Sequence, residues 1–209
     1  MYKLYWAPNS GAMAPQALFE EIGAEYEKIV IDFEKEEHKS DEFLSVNPMG
    51  QIPALVLPDG TLMTETAAML AQIVDLHPEA KLAPPAGSAE RARFLRWLFF
   101  LASNVYPTIL RLYYSERHST DPSAADGIKA AAEADLDNHF EILDDALDPG
   151  PYLLGEAFSA ADILLWMVIQ WHPDPTRLFE KAPRVKQIAE LLQARPAIAR
   201  TWREHEEDG

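Results

Sequence analysis

The stretch Asn47-Pro48-Met49-Gly50-Gln51-Ile52-Pro53-Ala54-Leu55 decides how the front of this chain folds. Asn-Pro and Gly are turn formers, and the apolar run Ala54-Leu55-Val56-Leu57 that follows reads as a buried strand. Pro53 therefore stands at a strand entrance. A proline there cannot donate to a ladder, so it belongs at an edge or a first position. Two readings are open. Pro53 is a plain strand-entry residue, or the Ile52-Pro53 bond is cis and the chain kinks. In the second case the N–H and C=O of Ile52 point outward, able to pair with an extended peptide as a short added strand.

Working outward, Pro58-Asp59-Gly60 is a tight turn and Thr61 to Thr64 its hairpin partner. Ala67 to Leu76 has helical spacing, with Met69, Leu70, Ile73 and Leu76 on one face. Upstream, residues 2 to 6 alternate and read as a strand. Ala7 to Gly11 is a turn, and Met13 to Ile22 is a helix that stops at Gly23. Tyr26 to Phe33 alternates again, and residues 34 to 49 are polar with weak helical character. The order is β-α-β-α-β-β-α over residues 1–78. Residues 79–88, with Pro84, Pro85 and Gly87, read as a linker. Residues 89–209 show only helical periods: 90–112, 124–147, 159–171, 185–193 and 197–205. The expected architecture is a mixed α/β front domain followed by an all-α domain.

Composition narrows the function. Eighteen basic and 34 acidic residues give a net charge of -16, which repels nucleic acid. No run is long and apolar enough to span a bilayer. The N-terminus lacks a basic region followed by an apolar one, so a cytoplasmic protein is expected. There are no cysteines, which excludes disulfides, cysteine metal sites and a cysteine nucleophile. Any thiol chemistry must use a thiol that arrives with a ligand. The histidines, His38, His77, His118, His139, His172 and His205, have no metal-ligand spacing and read as surface or packing residues. No metal is expected.

Three short motifs could carry chemistry. Thr64-Glu65-Thr66 opens a helix, where free N–H groups and the Thr66 hydroxyl suit a carboxylate and Glu65 suits an ammonium. Plain helix capping uses the same residues. In Pro8-Asn9-Ser10-Gly11 a hydroxyl or carboxamide before a helix could donate to a bound thiolate, or merely cap. Phe158-Ser159-Ala160-Ala161-Asp162 is a capping box with Asp in place of Glu and belongs to folding. The aromatic residues Trp97, Phe99, Phe100, Tyr106, Tyr113 and Tyr114 are mostly core, and some could line an apolar pocket.

In this order, the motifs resemble the cytosolic glutathione transferases from end to end. The specific parts are the NPxGQIP stretch, the Glu65-Thr66 pair and the Ser159-Ala160-Ala161-Asp162 box. The opening Tyr5 to Pro15 is most similar to the bacterial beta-type branch, except that the usual cysteine is replaced at about Gly11. The resemblance implies a thioredoxin-like domain of residues 1–78 and a helical C-terminal domain of residues 89–209, assembled as a homodimer. It implies glutathione as co-substrate, with Ile52 pairing to its cysteinyl unit beside a cis Pro53. Glu65 and Thr66 would hold the γ-glutamyl end, and Gln51 and His38 the glycine end. Met13, Tyr106 and Tyr113 would line the pocket for a small hydrophobic electrophile. Without the cysteine, Ser10, and after it Asn9, would activate the thiol in a detoxifying transferase. A disulfide or peroxide reductase using two glutathiones, or a non-catalytic glutathione-binding or scaffold protein, also fits the resemblance.

Overall fold

The computed structural model describes residues 1–207. Its front unit is built on strand β1 (Tyr2–Trp6), whose alternation buries Tyr2, Leu4 and Trp6. Helix α1 (Met13–Ile22) follows, closed by Gly23 in the left-handed region at φ 69°, with the Gly23 N–H donating to Phe19 O. Strand β2 (Tyr26–Val30) returns parallel to β1, pairing Tyr2 with Tyr26 and Trp6 with Val30. Helix α2 (Asp41–Val46) leads to β3 (Ala54–Val56), which runs antiparallel to β1 with Tyr5 opposite Ala54. The two-residue β4 (Leu62–Met63) pairs with β3, and α3 (Thr66–Leu76) completes the set. The sheet order β2-β1-β3-β4, three strands antiparallel across an initial parallel pair, is the thioredoxin-like arrangement that the resemblance implies.

The second strand is shorter than its alternation, which ran to Phe33. Ile31 N–H still donates to Trp6 O at 2.8 Å, but Asp32 N–H is taken by the Glu37 carboxylate at 2.9 Å. Asp32 in turn accepts from Lys35 N–H at 3.1 Å, and this local turn ends the pairing. The polar stretch after it resolves into a 3-10 turn (Glu37–Lys39) and α2, whose N-cap Ser40 accepts from Phe43 N–H.

The second unit is all helical: α4 (Ala89–Phe100), α5 (Tyr106–Tyr113), α6 (Ala125–Ala146), α7 (Ala160–Gln170), α8 (Pro175–Lys181) and α9 (Pro183–Gln193). The period over 90–112 predicts one helix. The chain instead carries a π-helical turn at Leu101–Val105 between α4 and α5. Pro107 is the reason: it lacks an N–H and its ring crowds the carbonyl of Ser103, and the wider turn makes room. Helix α8 has no counterpart in the sequence reading. Its signal, Asp174 capping Arg177 N–H at 3.0 Å just before Pro175, opens only seven residues.

The last helix, α10 (Pro196–Glu207), does not group with these. Packing separates Met1–Lys81, joined by the chain from Gln193 onward, from Leu82–Leu192. The boundaries 1–78, 79–88 and 89–209 place α10 in the helical domain. Ion pairs explain the difference: Arg195 makes two hydrogen bonds of 2.7 Å to Glu21 on α1, and Arg200 pairs with Glu20 at 3.1 Å. Among the described residues no helix is long and apolar enough to cross a membrane.

Helix α7 is buried along Ala160–Ile169, and its start hangs on Asp162. That carboxylate is fully buried and accepts from Ser159 N–H (2.8 Å), the Ser159 hydroxyl (2.9 Å) and Leu153 N–H (2.9 Å). Asp162→Ala strands all of these donors, so a loss of about 3 kcal/mol in unfolding free energy is expected, read by urea denaturation. A loss under about 1 kcal/mol would show that water takes over the donors.

Candidate functional site

Three segments converge at the C-terminal end of β1. The strand delivers the turn Ala7–Ala12. Because Tyr5 faces Ala54, the residues just before β3, Ile52 and Pro53, lie beside those leaving β1. Helix α3 begins at Thr66, and the Thr66 hydroxyl donates to Gly11 O at 3.3 Å. That bond joins the start of α3 to the turn.

Within the turn, Ser10 is nearly buried. Its hydroxyl donates to Ala7 O at 2.7 Å and accepts from Ala12 N–H at 3.2 Å. A hydroxyl has one proton, and here it is held inside the turn. Asn9 is exposed and lies in the left-handed region at φ 50°, which asparagine tolerates better than most residues. Its backbone N–H donates to His205 Nδ1 at 3.0 Å.

The loop before β3 is held by buried Asn47. Its carboxamide donates to Gln51 O at 2.6 Å and accepts from Met49 N–H at 3.1 Å, while its own carbonyl accepts from Gly50 N–H at 2.9 Å. Gly50 has φ +62°, and a Cβ there would stand 3.1 Å from His38 O. Only glycine combines that backbone with that approach, and His38 is thereby held against the loop. The His38 ring meets Phe33 edge-on at 4.8 Å. Ile52 is buried, Gln51 is exposed and the Ile52-Pro53 bond is cis. Glu65, the residue before α3, is exposed with φ 66° and ψ 103°. For a non-glycine residue this is a strained conformation, costing about 1–3 kcal/mol, of the kind that gathers at functional sites.

The residues expected to line an apolar pocket divide. Met13 is fully buried on α1, so it presents no surface to a pocket. In the helical unit, Tyr106 packs on Trp171 at 5.0 Å between ring centroids, and the exposed Tyr113 donates its hydroxyl to Trp171 O at 3.0 Å. Partial desolvation of the phenol raises the Tyr113 pKa although much of the ring is open to solvent. Trp171 itself was not singled out from the sequence. No group of three metal-ligating side chains occurs among the described residues.

His205 was read from the sequence as a surface or packing residue. It is fully buried and belongs to a polar network inside the front unit. Gln16 Oε1 accepts from Trp6 Nε1–H at 2.6 Å and lies 3.1 Å from His205 Nε2. Gln16 Nε2 donates to Glu204 at 2.9 Å, and Glu204 also pairs with Lys28. A signal was present: Ala197, Ile198, Thr201 and His205 form the buried face of α10, so the period places His205 inward.

Comparison with known proteins shows the family. Residues 1–74 match the family description "Glutathione S-transferase, N-terminal domain", and residues 121–200 match "Glutathione S-transferase, C-terminal domain". The uncharacterized GST-like protein YncG of Escherichia coli strain K12 is 30% identical over 99% of both chains. Glutathione S-transferase GstA of Escherichia coli O157:H7 is 28% identical over 94% of both. A solved sphingomonad glutathione S-transferase complexed with glutathione superposes with a TM-score of 0.83 at 32% identity, over 98% of both chains. The chain belongs to the glutathione S-transferase family.

Burial, with the Lys28 charge beside it, lowers the His205 pKa to about 4, while Glu204 opposes the shift. The unfolded chain takes up this proton from about pH 6.5 downward, and the folded chain does so only near 4. The contribution of His205 is therefore complete above pH 6.5 and lost as pH falls through 4. Its slope is about 1.4 kcal/mol per pH unit at most. Asp162, raised by burial to about 6, moves stability the opposite way in the same window. The expected result is a difference: His205→Gln flattens the acid loss of unfolding free energy relative to wild type between pH 6.5 and 4. Parallel curves would show that His205 is charged in the folded state.

Proposed function

We propose that this protein is a glutathione transferase: it binds glutathione in extended form, stabilises its thiolate, and directs the sulfur onto a small hydrophobic electrophile. The observation that carries this is the Thr66–Gly11 hydrogen bond, because it joins a carboxylate-binding helix start to a thiol-binding turn in one site. The glutathione bound to the sphingomonad relative supports the same reading.

The geometry supports roles as follows. The γ-glutamyl carboxylate meets the free amides at the start of α3 and its ammonium meets Glu65, while the Thr66 hydroxyl, committed to Gly11 O, holds that helix start against the turn. The cysteinyl unit pairs with the backbone of Ile52 beside Pro53. Gln51 and His38 face the glycine carboxylate. The sulfur then lies at the β1–α1 turn, where the positive end of α1 lowers the cost of a thiolate. The thiol proton leaves to solvent, the sulfur bonds to the electrophilic carbon, and the leaving group departs with its electron pair. Because the chain has no cysteine, it can form no mixed disulfide of its own, which favours conjugation. A cytoplasmic homodimer completes the proposal, on the strength of the resemblance.

Since the Ser10 proton is held by Ala7 O, Asn9 is the better-placed side-chain donor to the sulfur. Asn9→Ala is expected to lower kcat about tenfold, and more than Ser10→Ala does, in steady-state assays with a chlorodinitrobenzene. The reverse order would return that role to Ser10. Thr66→Ala is expected to weaken glutathione binding by about 1–3 kcal/mol in calorimetry. Unchanged affinity would remove Thr66 from the site.

A further inference from the structure

His205 lies almost two hundred residues along the chain from the turn that the proposed chemistry uses, yet it touches that turn directly. Its Nδ1 accepts the backbone N–H of Asn9 at 3.0 Å. A nitrogen that accepts carries no proton, so the neutral ring has its proton on Nε2. Nε2–H then donates to Gln16 Oε1 at 3.1 Å. Trp6 Nε1–H sits 3.1 Å from the same Nε2 but 2.6 Å from Gln16 Oε1, so its proton goes to Gln16. Gln16 is orientated in turn because its amide nitrogen donates to Glu204. Each member has one consistent role, and the ring cannot flip without facing Asn9 N–H with a C–H.

Asn9 is the one residue of this turn with positive φ, the position where the backbone is least content to stay without help. Fixing its N–H fixes the plane of the Pro8-Asn9 peptide, and so the direction in which the Asn9 side chain leaves the backbone. We propose that His205 is a positioning residue for thiol activation: through the Asn9 N–H it holds the β1–α1 turn in the form that receives the glutathione sulfur. The inference rests on the transferase reading above. It gives α10 a part in the site although no α10 side chain needs to touch the substrate.

The test uses two variants of the full chain. His205→Asn places an amide oxygen where Nδ1 stood and keeps the acceptor for Asn9. His205→Gln reaches toward Gln16 but removes that acceptor. Both keep a polar side chain in the network, and thermal unfolding checks that each folds. Amide hydrogen exchange at Asn9 is measured by NMR without glutathione, and then kcat, KM for glutathione and the bound-thiol pKa by ultraviolet difference absorbance. In His205→Gln, Asn9 exchange is expected to rise about tenfold, kcat to fall about tenfold and the thiol pKa to rise. KM should change by less than about threefold. His205→Asn should restore all of these toward wild type. Wild-type Asn9 exchange in His205→Gln, or equal impairment of both variants, would overturn the inference and leave His205 a packing residue. If wild type binds no glutathione, the transferase reading fails, and the Asn9 exchange rates alone decide whether His205 holds the turn.

Discussion

Gln16 has one carboxamide oxygen, and two buried N–H groups converge on it, from Trp6 on β1 and His205 on α10. Its amide nitrogen is taken by Glu204, which also pairs with Lys28 on β2. Gln16, Trp6 and His205 are all essentially inaccessible to water. In such surroundings a donor left without its acceptor costs about 1–3 kcal/mol, so no single slip of register leaves the set satisfied. Two strands and two helices are thereby locked in one arrangement. The turn between β1 and α1 is gripped before it by Trp6, after it by Gln16, and within it at Asn9.

Electrostatics point the same way. The chain carries a net charge of -16, and Lys28, which lies over the Trp6 ring, is already paired with Glu204. The proposed ligand brings two carboxylates and a thiolate to a chain that already carries excess negative charge. What the fold offers is partial charge, from the amides that open α3 and the start of α1. These dipoles are held by the backbone, so they act at short range and need no mobile side chain. Glu65 adds a full negative charge beside them, which suits an ammonium next to a carboxylate and suits a simple anion much less.

The order of strands and helices was legible because it is written in local periods and turn residues: the alternation of Tyr2 to Trp6, the stop at Gly23, the hairpin at Asp59-Gly60. Ile52, Pro53, Glu65 and Thr66 could be singled out as candidates because two short motifs carry them. What escaped depends on contacts between distant segments. The place of α10 is set by Arg195 with Glu21 and by His205 with Asn9, and no window of sequence contains both partners. Met13 has the same helical spacing whether it faces a pocket or the core, and only packing decides. The π-helical turn before Pro107 shows the opposite case, since the proline was visible and its effect on the helix was not counted.

The fate of the carbonyl oxygens in the turn bears on how a thiolate could rest there without a cysteine to replace it. Carbonyl oxygens repel a thiolate as firmly as N–H groups attract it. Here the Ser10 hydroxyl donates to Ala7 O, the Thr66 hydroxyl to Gly11 O, and Met13 N–H to Ser10 O. Three carbonyls of the turn are thus turned toward internal donors. Ser10 and Thr66 therefore affect the charge seen at the turn even when neither proton points at the ligand. Removing either hydroxyl does more than loosen a bend: it frees a partial negative charge where the proposed function places the thiolate. That is a physical reason for two hydroxyl side chains, far apart in sequence, to be committed to the same few backbone atoms.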